Sequence, residues 1–171
     1  MPLSARIWSY DRSKELMREI KEYEYPHQKD KNELMSAILN STSPIPESYK
    51  ERSENCHIAE EIESSPVVQK FINWIEETTN TKLKDIWGVW YNDGGGIKWH
   101  THKGDFRYSF VYYIQVPEGS SSIYFSEDPE TTEPTFFYAN QGICVVWDSD
   151  FPHCVPPSNH EGRCVLSGNL R

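Results

Sequence analysis

The tetrapeptide Trp99-His100-Thr101-His102 places two histidines two residues apart in a run that is typical of a β-strand. Side chains two apart on a strand point to the same face, so the imidazoles of His100 and His102 can meet one metal ion. Neutral imidazole is a good ligand for iron, copper, nickel or zinc. An isolated histidine pair is more often an ordinary surface or core feature, so the metal interpretation depends on the rest of the chain.

A third histidine, His153, lies 51 residues after His102 and directly behind the apolar run 143–147. A histidine at the turn out of a buried strand can complete a site that a distant histidine pair opens. We therefore predict that His100, His102 and His153 are metal ligands.

Arg163 follows His153 by ten residues and begins an alternating segment. On a regular strand, Arg163 and Ser167 share one face. A guanidinium buried in a barrel needs an anion, and a carboxylate suits its planar fork best because it accepts two hydrogen bonds. The alternative is a surface salt bridge to one of the many acidic side chains.

Three consecutive glycines lie in the segment 92–96. Glycine runs can hold phosphate groups, but the Gly-Lys-Ser/Thr continuation and a following helical pattern are both missing from the sequence. The glycines separate two strand-like runs, so we predict a hairpin turn.

The elements before these motifs have the apolar spacing of helices. Leu16, Ile20 and Tyr23 recur at helical spacing, and Leu34 and Ile38 repeat the pattern over a shorter segment. Residues 42–53 are expected to form a loop. The clearest helix should begin after Ser65, with Pro66 at its first position, and end near Asn80. Its predicted apolar face comprises Val67, Phe71, Trp74, Ile75 and Thr78.

From residue 86 onward, runs rich in Trp, Tyr, Val and Ile alternate with Gly, Pro, Asp and Asn clusters. We predict strands at 86–91, 96–102, 108–116, 121–125, 136–138, 142–147 and 163–169. Helices followed by many short strands predict an α+β domain whose sheet closes into a barrel or sandwich. We expect residues 1–171 to form one domain, mainly helical over 1–85 and with a β-core over 86–171.

The formal net charge of -9 argues against a partner bound mainly through phosphates, because such binding depends on clustered Lys and Arg. We therefore expect neither nucleic acid nor a membrane as a partner. No run approaches the roughly 20 apolar residues that cross a bilayer, and the N-terminus does not resemble a secretion signal. The four cysteines have no metal-finger spacing and fit reduced thiols, so we expect a soluble cytoplasmic protein.

The motifs of the C-terminal half, taken in order, resemble those of the 2-oxoglutarate and iron(II)-dependent oxygenases. They are Tyr91, a Gly-rich turn, His100-x-His102, Ser109-Phe110-Val111-Tyr112-Tyr113, Gly142 with an apolar strand, Pro152-His153 and Arg163. Prolyl hydroxylases and a set of phage and marine bacterial oxygenases are the most similar members. The resemblance covers residues 86–171 and implies a double-stranded β-helix, a jelly-roll, cupin-like barrel with the N-terminal helices packed on it.

In this family, a His-x-Asp or His-x-Glu motif and a distal histidine bind iron, and a later basic residue binds the far carboxylate of 2-oxoglutarate. His100, His153 and Arg163 match that pattern. The resemblance also implies that Tyr91 and Tyr113 contact the co-substrate. Ser167 is similar to the serine of the family's Arg-x-Ser pattern, although the spacing here is Arg-x-x-x-Ser.

His102 departs from the family because it stands where the triad carboxylate belongs. Either three histidines hold the metal, or a nearby acid such as Asp105 replaces one of them. Three neutral ligands leave the iron more positively charged, which favours an anionic substrate that binds it directly. That arrangement resembles the thiol dioxygenases of the cupin group, which share the barrel.

The resemblance implies an enzyme that uses Fe(II), 2-oxoglutarate and O2. Oxidative decarboxylation would give succinate and carbon dioxide, coupled to hydroxylation of a C–H bond in a peptidyl residue, an amino acid or another small metabolite. Two alternatives stay open: a three-histidine dioxygenase that does not use 2-oxoglutarate, and a non-catalytic metal- or ligand-binding cupin-like module. Arg163 distinguishes the 2-oxoglutarate oxygenase from the three-histidine dioxygenase, because a thiol dioxygenase has no need for a carboxylate-binding arginine.

Overall fold

Strands dominate the computed structural model of the chain, which describes residues 20–41, 51–102, 104–130 and 133–171. The helices are a 3-10 turn (Gln28–Asp30), α1 (Lys31–Leu39) and α2 (Pro66–Thr79). Within these ranges the strands are β1 (Lys21–Glu24), β2 (Ser53–Ala59), β3 (Leu83–His100), β4 (Tyr108–Gln115), β5 (Ile123–Phe125), β6 (Thr135–Phe137), β7 (Ile143–Asp148), β8 (His153–Val155) and β9 (Arg163–Leu170). They form one antiparallel sheet in the order β1-β7-β4-β9-β3-β8-β5-β6, with β2 paired to β3.

The two faces of the sheet bury different side chains, because side chains alternate along each strand. On β4, Phe110 and Tyr112 pack with the helices, whereas Val111 and Tyr113 belong to a second apolar cluster on the opposite face. The same alternation holds on β9. Burial on both faces explains why β4 is an almost continuous apolar run. The helices cover only the first face, so a cavity can form on the second.

Helix α2 covers the first face. It begins after Ser65 with Pro66 and ends at Thr79, and the next residue, Asn80, has a left-handed backbone with a φ of 52°. Phe71 is fully buried and stacks on Tyr112 of β4, with ring centroids 5.0 Å apart, so truncation to Ala would cost about 3–5 kcal/mol. The predicted helix is confirmed, although Thr78 of its predicted apolar face is exposed. None of the helices in the described ranges is long and apolar enough to cross a lipid bilayer.

The predicted hairpin turn at 92–96 is wrong, because both flanking runs belong to β3. Four residues of β3, 92–95, bulge out opposite the single residue Asn55 of β2. Before the bulge β3 pairs with β9, and after it β3 pairs with β8. Glycine permits this bend: Gly94 has a φ of 78°, and a Cβ on Gly96 would lie 2.8 Å from the Val155 carbonyl oxygen.

Other differences concern elements that pair far along the chain. Tyr23, predicted to be helical, lies in β1 opposite Cys144 of β7. Strands β2 and β8 are absent from the predicted set, and β2 begins at Ser53, within the predicted loop. Leu16 and residues 42–50 lie outside the described residues. The N-terminal part therefore contributes two strands to the sheet in addition to its helices.

Candidate metal centre and cavity

Three neighbouring backbone segments hold the predicted metal ligands. His100 is the last residue of β3 and His153 the first residue of β8, and the two lie directly opposite each other in the antiparallel pair. His102 lies just beyond β3, where its backbone N–H donates to the Ser149 carbonyl oxygen over 3.2 Å. The pairing of β3 with β8 thus joins residues that are far apart in sequence.

The three imidazoles converge. Their ligand nitrogens all lie within 4.8 Å of one another, and the Nε2 atoms of His100 and His102 are 3.2 Å apart. Bonds of about 2.1 Å from one ion to two imidazole nitrogens are compatible with this separation. His102 and His153 are buried, and His100 is partly buried.

Hydrogen bonds fix which ring nitrogen carries the proton. The Nδ1 atoms of His100 and His153 lie 2.7 Å and 2.9 Å from the carbonyl oxygens of Lys98 and Phe151. The Nδ1 atom of His102 lies 2.6 Å from an amide oxygen of Asn169. Because each partner can only accept, Nδ1 carries the hydrogen in every ring, and the Nε2 lone pairs face one another. A metal cation between them would turn that arrangement into attraction.

The electrostatics keep these rings neutral. Burial lowers the pKa of His100 to about 3 and that of His102 to about 4, and it holds the pKa of His153 well below its usual range. The positive charge of Arg52 lowers all three pKa values further. Neutral imidazole is the form that binds a metal, so the donor set fits a transition-metal ion near neutral pH.

Asp105 does not join the group. Its side chain is 92 % exposed, and its carboxylate lies 3.8 Å from the Arg171 guanidinium. The cluster of possible metal ligands found among the described residues consists of His100, His102 and His153 alone. The geometry therefore favours His102 over Asp105 as the third ligand.

Arg163 occupies the interior, as predicted. It is only 1 % exposed, and its Nη1 donates to the Ser121 carbonyl oxygen. The guanidinium carbon lies 5.1 Å from the ring centre of Tyr91 and 5.3 Å from that of Tyr113, so both tyrosines make cation–π contacts with it.

Two buried polar atoms beside these contacts lack a hydrogen-bond partner of good geometry, Arg163 Nε and the Tyr113 hydroxyl. Burial raises the pKa of Tyr113 to about 12, an effect that the charge of Arg163 partly opposes, so this hydroxyl keeps its proton at neutral pH. Unpaired buried donors around a guanidinium fit a carboxylate, which would accept from both.

One cavity joins the two groups of residues. Its lining includes all seven predicted site residues: Tyr91, His100, His102, Tyr113, His153, Arg163 and Ser167. The cavity volume is about 50 Å³, several times the roughly 10–15 Å³ that a single water needs. Among the described residues, no acidic side chain lines it, whereas Arg52 and Arg163 both do. An anionic ligand suits this cavity.

Aromatic rings pack around His102 and His153. Trp147 is fully buried with its ring centroid 4.9 Å from that of His153, and the Phe125 ring lies 6.0 Å from the same imidazole. On the other side, Trp87 lies 5.9 Å from the His102 ring. Such a shell lowers the local dielectric and strengthens the electrostatic interactions inside.

Sequence reasoning missed two residues of this region. Arg52 lines the cavity from a segment that was predicted to be a loop, and no sequence signal links it to the histidines. Asn169 holds His102 and could have been found, because it lies on the same face of β9 as Arg163 and Ser167 by simple alternation.

No protein-family model matches the chain, and no curated protein does so either. Solved structures, in contrast, resemble it over most of its length. A prolyl-4-hydroxylase from Pseudomonas putida has 16 % sequence identity and a TM-score of 0.61, with 90 % of this chain and 92 % of that one covered. HygX from Streptomyces hygroscopicus, with nickel and 2-oxoglutarate bound, has 11 % identity and a TM-score of 0.67, with 91 % and 85 % covered.

A third similar structure is a prolyl hydroxylase from Trichoplax adhaerens in complex with a peptide fragment of hypoxia-inducible factor. It has 12 % identity and a TM-score of 0.63, with 89 % of this chain and 83 % of that chain covered. Likeness at such low identity establishes architecture. The chain therefore has the double-stranded β-helix, or jelly-roll, fold of the prolyl hydroxylases and related 2-oxoglutarate oxygenases.

Proposed function

We propose that the protein is an Fe(II)- and 2-oxoglutarate-dependent oxygenase that hydroxylates a C–H bond and releases succinate and carbon dioxide. One observation carries this proposal: the three converging Nε2 atoms and the buried Arg163 line the same cavity. A metal site alone fits many proteins. A metal site that shares a cavity with a buried guanidinium fits a chelating dicarboxylate co-substrate.

In this proposal, His100, His102 and His153 hold Fe(II). Three protein ligands leave open metal positions for the 2-oxo acid and for O2. Iron, when bound, supplies the oxidative chemistry that couples decarboxylation of 2-oxoglutarate to hydroxylation of the substrate. The protein's own contribution is to hold the imidazoles neutral, with every Nε2 aimed inward.

Arg163 would bind the far carboxylate of 2-oxoglutarate, with Tyr91, Tyr113 and Ser167 beside it. The guanidinium is held by its contacts with the two tyrosine rings and by its hydrogen bond to the Ser121 carbonyl. Little side-chain freedom remains to be lost on binding, which favours affinity. The protonated Tyr113 hydroxyl can donate to the same carboxylate.

The substrate class is a peptidyl side chain, a free amino acid or another small metabolite. The similar structure with a bound peptide supports the first possibility. We also infer a single oxygenase domain over residues 1–171 and a cytoplasmic location. The free cysteines Cys56, Cys144, Cys154 and Cys164 support a reducing compartment.

A second candidate is a three-histidine dioxygenase that does not use 2-oxoglutarate. The ligand set favours it, because the cluster found in the described part of the chain contains no carboxylate. The presence of Arg163 in the same cavity argues against this candidate, because such an enzyme has no need for an arginine that binds the far carboxylate of a co-substrate.

The decisive experiment is to load the purified protein with Fe(II) without oxygen and to add 2-oxoglutarate. The expected result is a visible metal-to-ligand charge-transfer band, followed by succinate once oxygen is admitted. Iron binding without the band would favour the three-histidine alternative, provided that iron-dependent O2 consumption is found with another substrate. Iron binding with neither band nor oxygen consumption would favour the non-catalytic module.

A further inference from the structure

Asn169 lies at the centre of a buried polar network behind His102. Its side chain is on β9 and is only 4 % exposed. Its Oδ1 accepts from His102 Nδ1 over 2.6 Å and from the Ser109 hydroxyl over 2.7 Å. Its Nδ2 donates to Asp85 Oδ1 over 2.7 Å. Every hydrogen-bonding group of this amide therefore faces a fixed partner.

Asp85 determines which way the amide points. Asp85 and Asn169 lie directly opposite each other in the β3–β9 pair, so their side chains meet on one face of the sheet. A carboxylate accepts hydrogen bonds, which places the NH2 group of Asn169 toward Asp85 and the carbonyl oxygen toward His102. The chain of bonds runs from Asp85 through Asn169 to the ring of His102.

His102 differs in this respect from the other two histidines. The Nδ1 atoms of His100 and His153 are held by backbone carbonyls two residues away, which any local sequence can supply. The Nδ1 atom of His102 is held by a side chain 67 residues further along the chain. Its orientation therefore depends on particular residues of β3 and β9.

We propose that Asn169, oriented by Asp85, is a positioning residue that makes His102 a metal ligand. The hydrogen bond fixes the proton on Nδ1 and turns Nε2 toward His100 and His153. The inference rests on the metal centre of the proposed function, but not on the use of 2-oxoglutarate.

The test titrates metal-free protein with Co(II) and follows the visible absorption of the bound ion. Asn169→Leu, which keeps the size but removes the acceptor, should weaken Co(II) affinity by about 10- to 100-fold. Ser109→Ala is the matched control, because it removes the other hydrogen bond to the same Oδ1 without touching His102. It should leave the affinity almost unchanged.

A double-mutant cycle separates positioning from general support of the fold. In the His102→Ala background, Asn169→Leu should cause no further loss of Co(II) affinity. An equal loss in both backgrounds would overturn the proposal. The exchange variant Asp85→Asn/Asn169→Asp keeps an acceptor opposite His102 and a donor behind it, and should recover the affinity that Asn169→Leu loses.

A measurement on the unmutated protein covers the case in which Asn169→Leu does not fold. Nitrogen-15 NMR of the metal-free protein should show the His102 ring proton on Nδ1, and a proton on Nε2 would overturn the proposal. Wild-type Co(II) binding that is insensitive to Asn169→Leu would overturn this inference and leave the proposed function intact. Co(II) binding that is weakened by Asn169→Leu, in a protein that shows no 2-oxoglutarate turnover, would support this inference and contradict the proposed function.

Discussion

Tyr91 and Arg163 lie directly opposite each other in the antiparallel β3–β9 pair, with the guanidinium carbon 5.1 Å from the tyrosine ring centre. After its bulge, the same strand β3 places His100 directly opposite His153 of β8. One strand therefore contributes a residue to the candidate anion site and a residue to the candidate metal site. Each site can be tested by changes that leave the other in place.

Arg163→Ala should raise the KM for 2-oxoglutarate while Fe(II) affinity stays nearly unchanged. We expect an increase of roughly 30-fold or more, because losing one partner of a buried charged pair costs about 2–5 kcal/mol. Steady-state succinate formation measures the first quantity and metal titration the second. Arg163→Lys keeps the charge without the planar fork and should recover part of the loss. Equal losses of both affinities would mean that Arg163 supports the fold instead.

His102→Asp should retain iron binding and keep or improve 2-oxoglutarate turnover. The substitution gives the common triad of two histidines and one carboxylate, whose negative charge offsets part of the charge of the ion. Iron titration and succinate formation are the measurements, with His102→Ala as the control that lacks any ligand. If His102→Asp binds iron but forms no succinate, His102 is adapted to a reaction that the carboxylate triad does not support.

The metal-free protein should lose stability as the pH falls from about 6.5 toward 4. Burial lowers the folded-state pKa of His100 to about 3 and that of His102 to about 4, whereas the unfolded imidazoles titrate near 6.5. Between these values the unfolded chain binds more protons than the folded one, so acid favours unfolding. Thermal unfolding at several pH values checks this. A variant with His100 and His102 both changed to Gln should show a shallower dependence, and an equal slope would contradict the assignment.

Gly88→Ala should destabilise the contact between β3 and α1. A Cβ at this position would lie 2.3 Å from Cγ1 of the Ile38 side chain, which is fully buried. We expect a loss of about 1–3 kcal/mol in the free energy of unfolding, as for other overpacked cores. The obstacle is a side chain, so in an Ile38→Ala background Gly88→Ala should cost much less. A cost that is the same in both backgrounds would place the strain in the backbone.

The sequence singles out the three histidines and Arg163, which the structure places around one cavity, because local signals and a family pattern coincide there. It did not predict how they meet. Ile97 and His100 both line the cavity although they are three residues apart, because a second irregularity in β3 sets two residues, 98 and 99, against the single residue Cys154 of β8. Simple alternation cannot anticipate such a change of face, since its cause is the pairing strand and not the local residues.

Long-range pairing also explains the other errors. Tyr23 has helical spacing to its apolar neighbours, yet it lies in β1, which pairs with the edge of the distant strand β7. The hairpin predicted at the glycine run is wrong because glycine indicates a bend in the backbone but does not indicate which strand the following residues pair with. The fold class was predictable, because many short β-type runs after helices have few architectural solutions.

The bulge at 92–95 separates two stretches of β3, of which one pairs with β9 and the other with β8, while β2 pairs with both. Residues 92–95 have no register partner on β2, β8 or β9, so an inserted or deleted residue there would displace no strand pair. Because β2, β8 and β9 hold the flanking stretches in register, an insertion or deletion within 92–95 would change the size of the bulge and leave Tyr91 and His100 in place. The bulge is thus a place where the length of the chain can change, in evolution or by design, without displacing the residues that line the cavity.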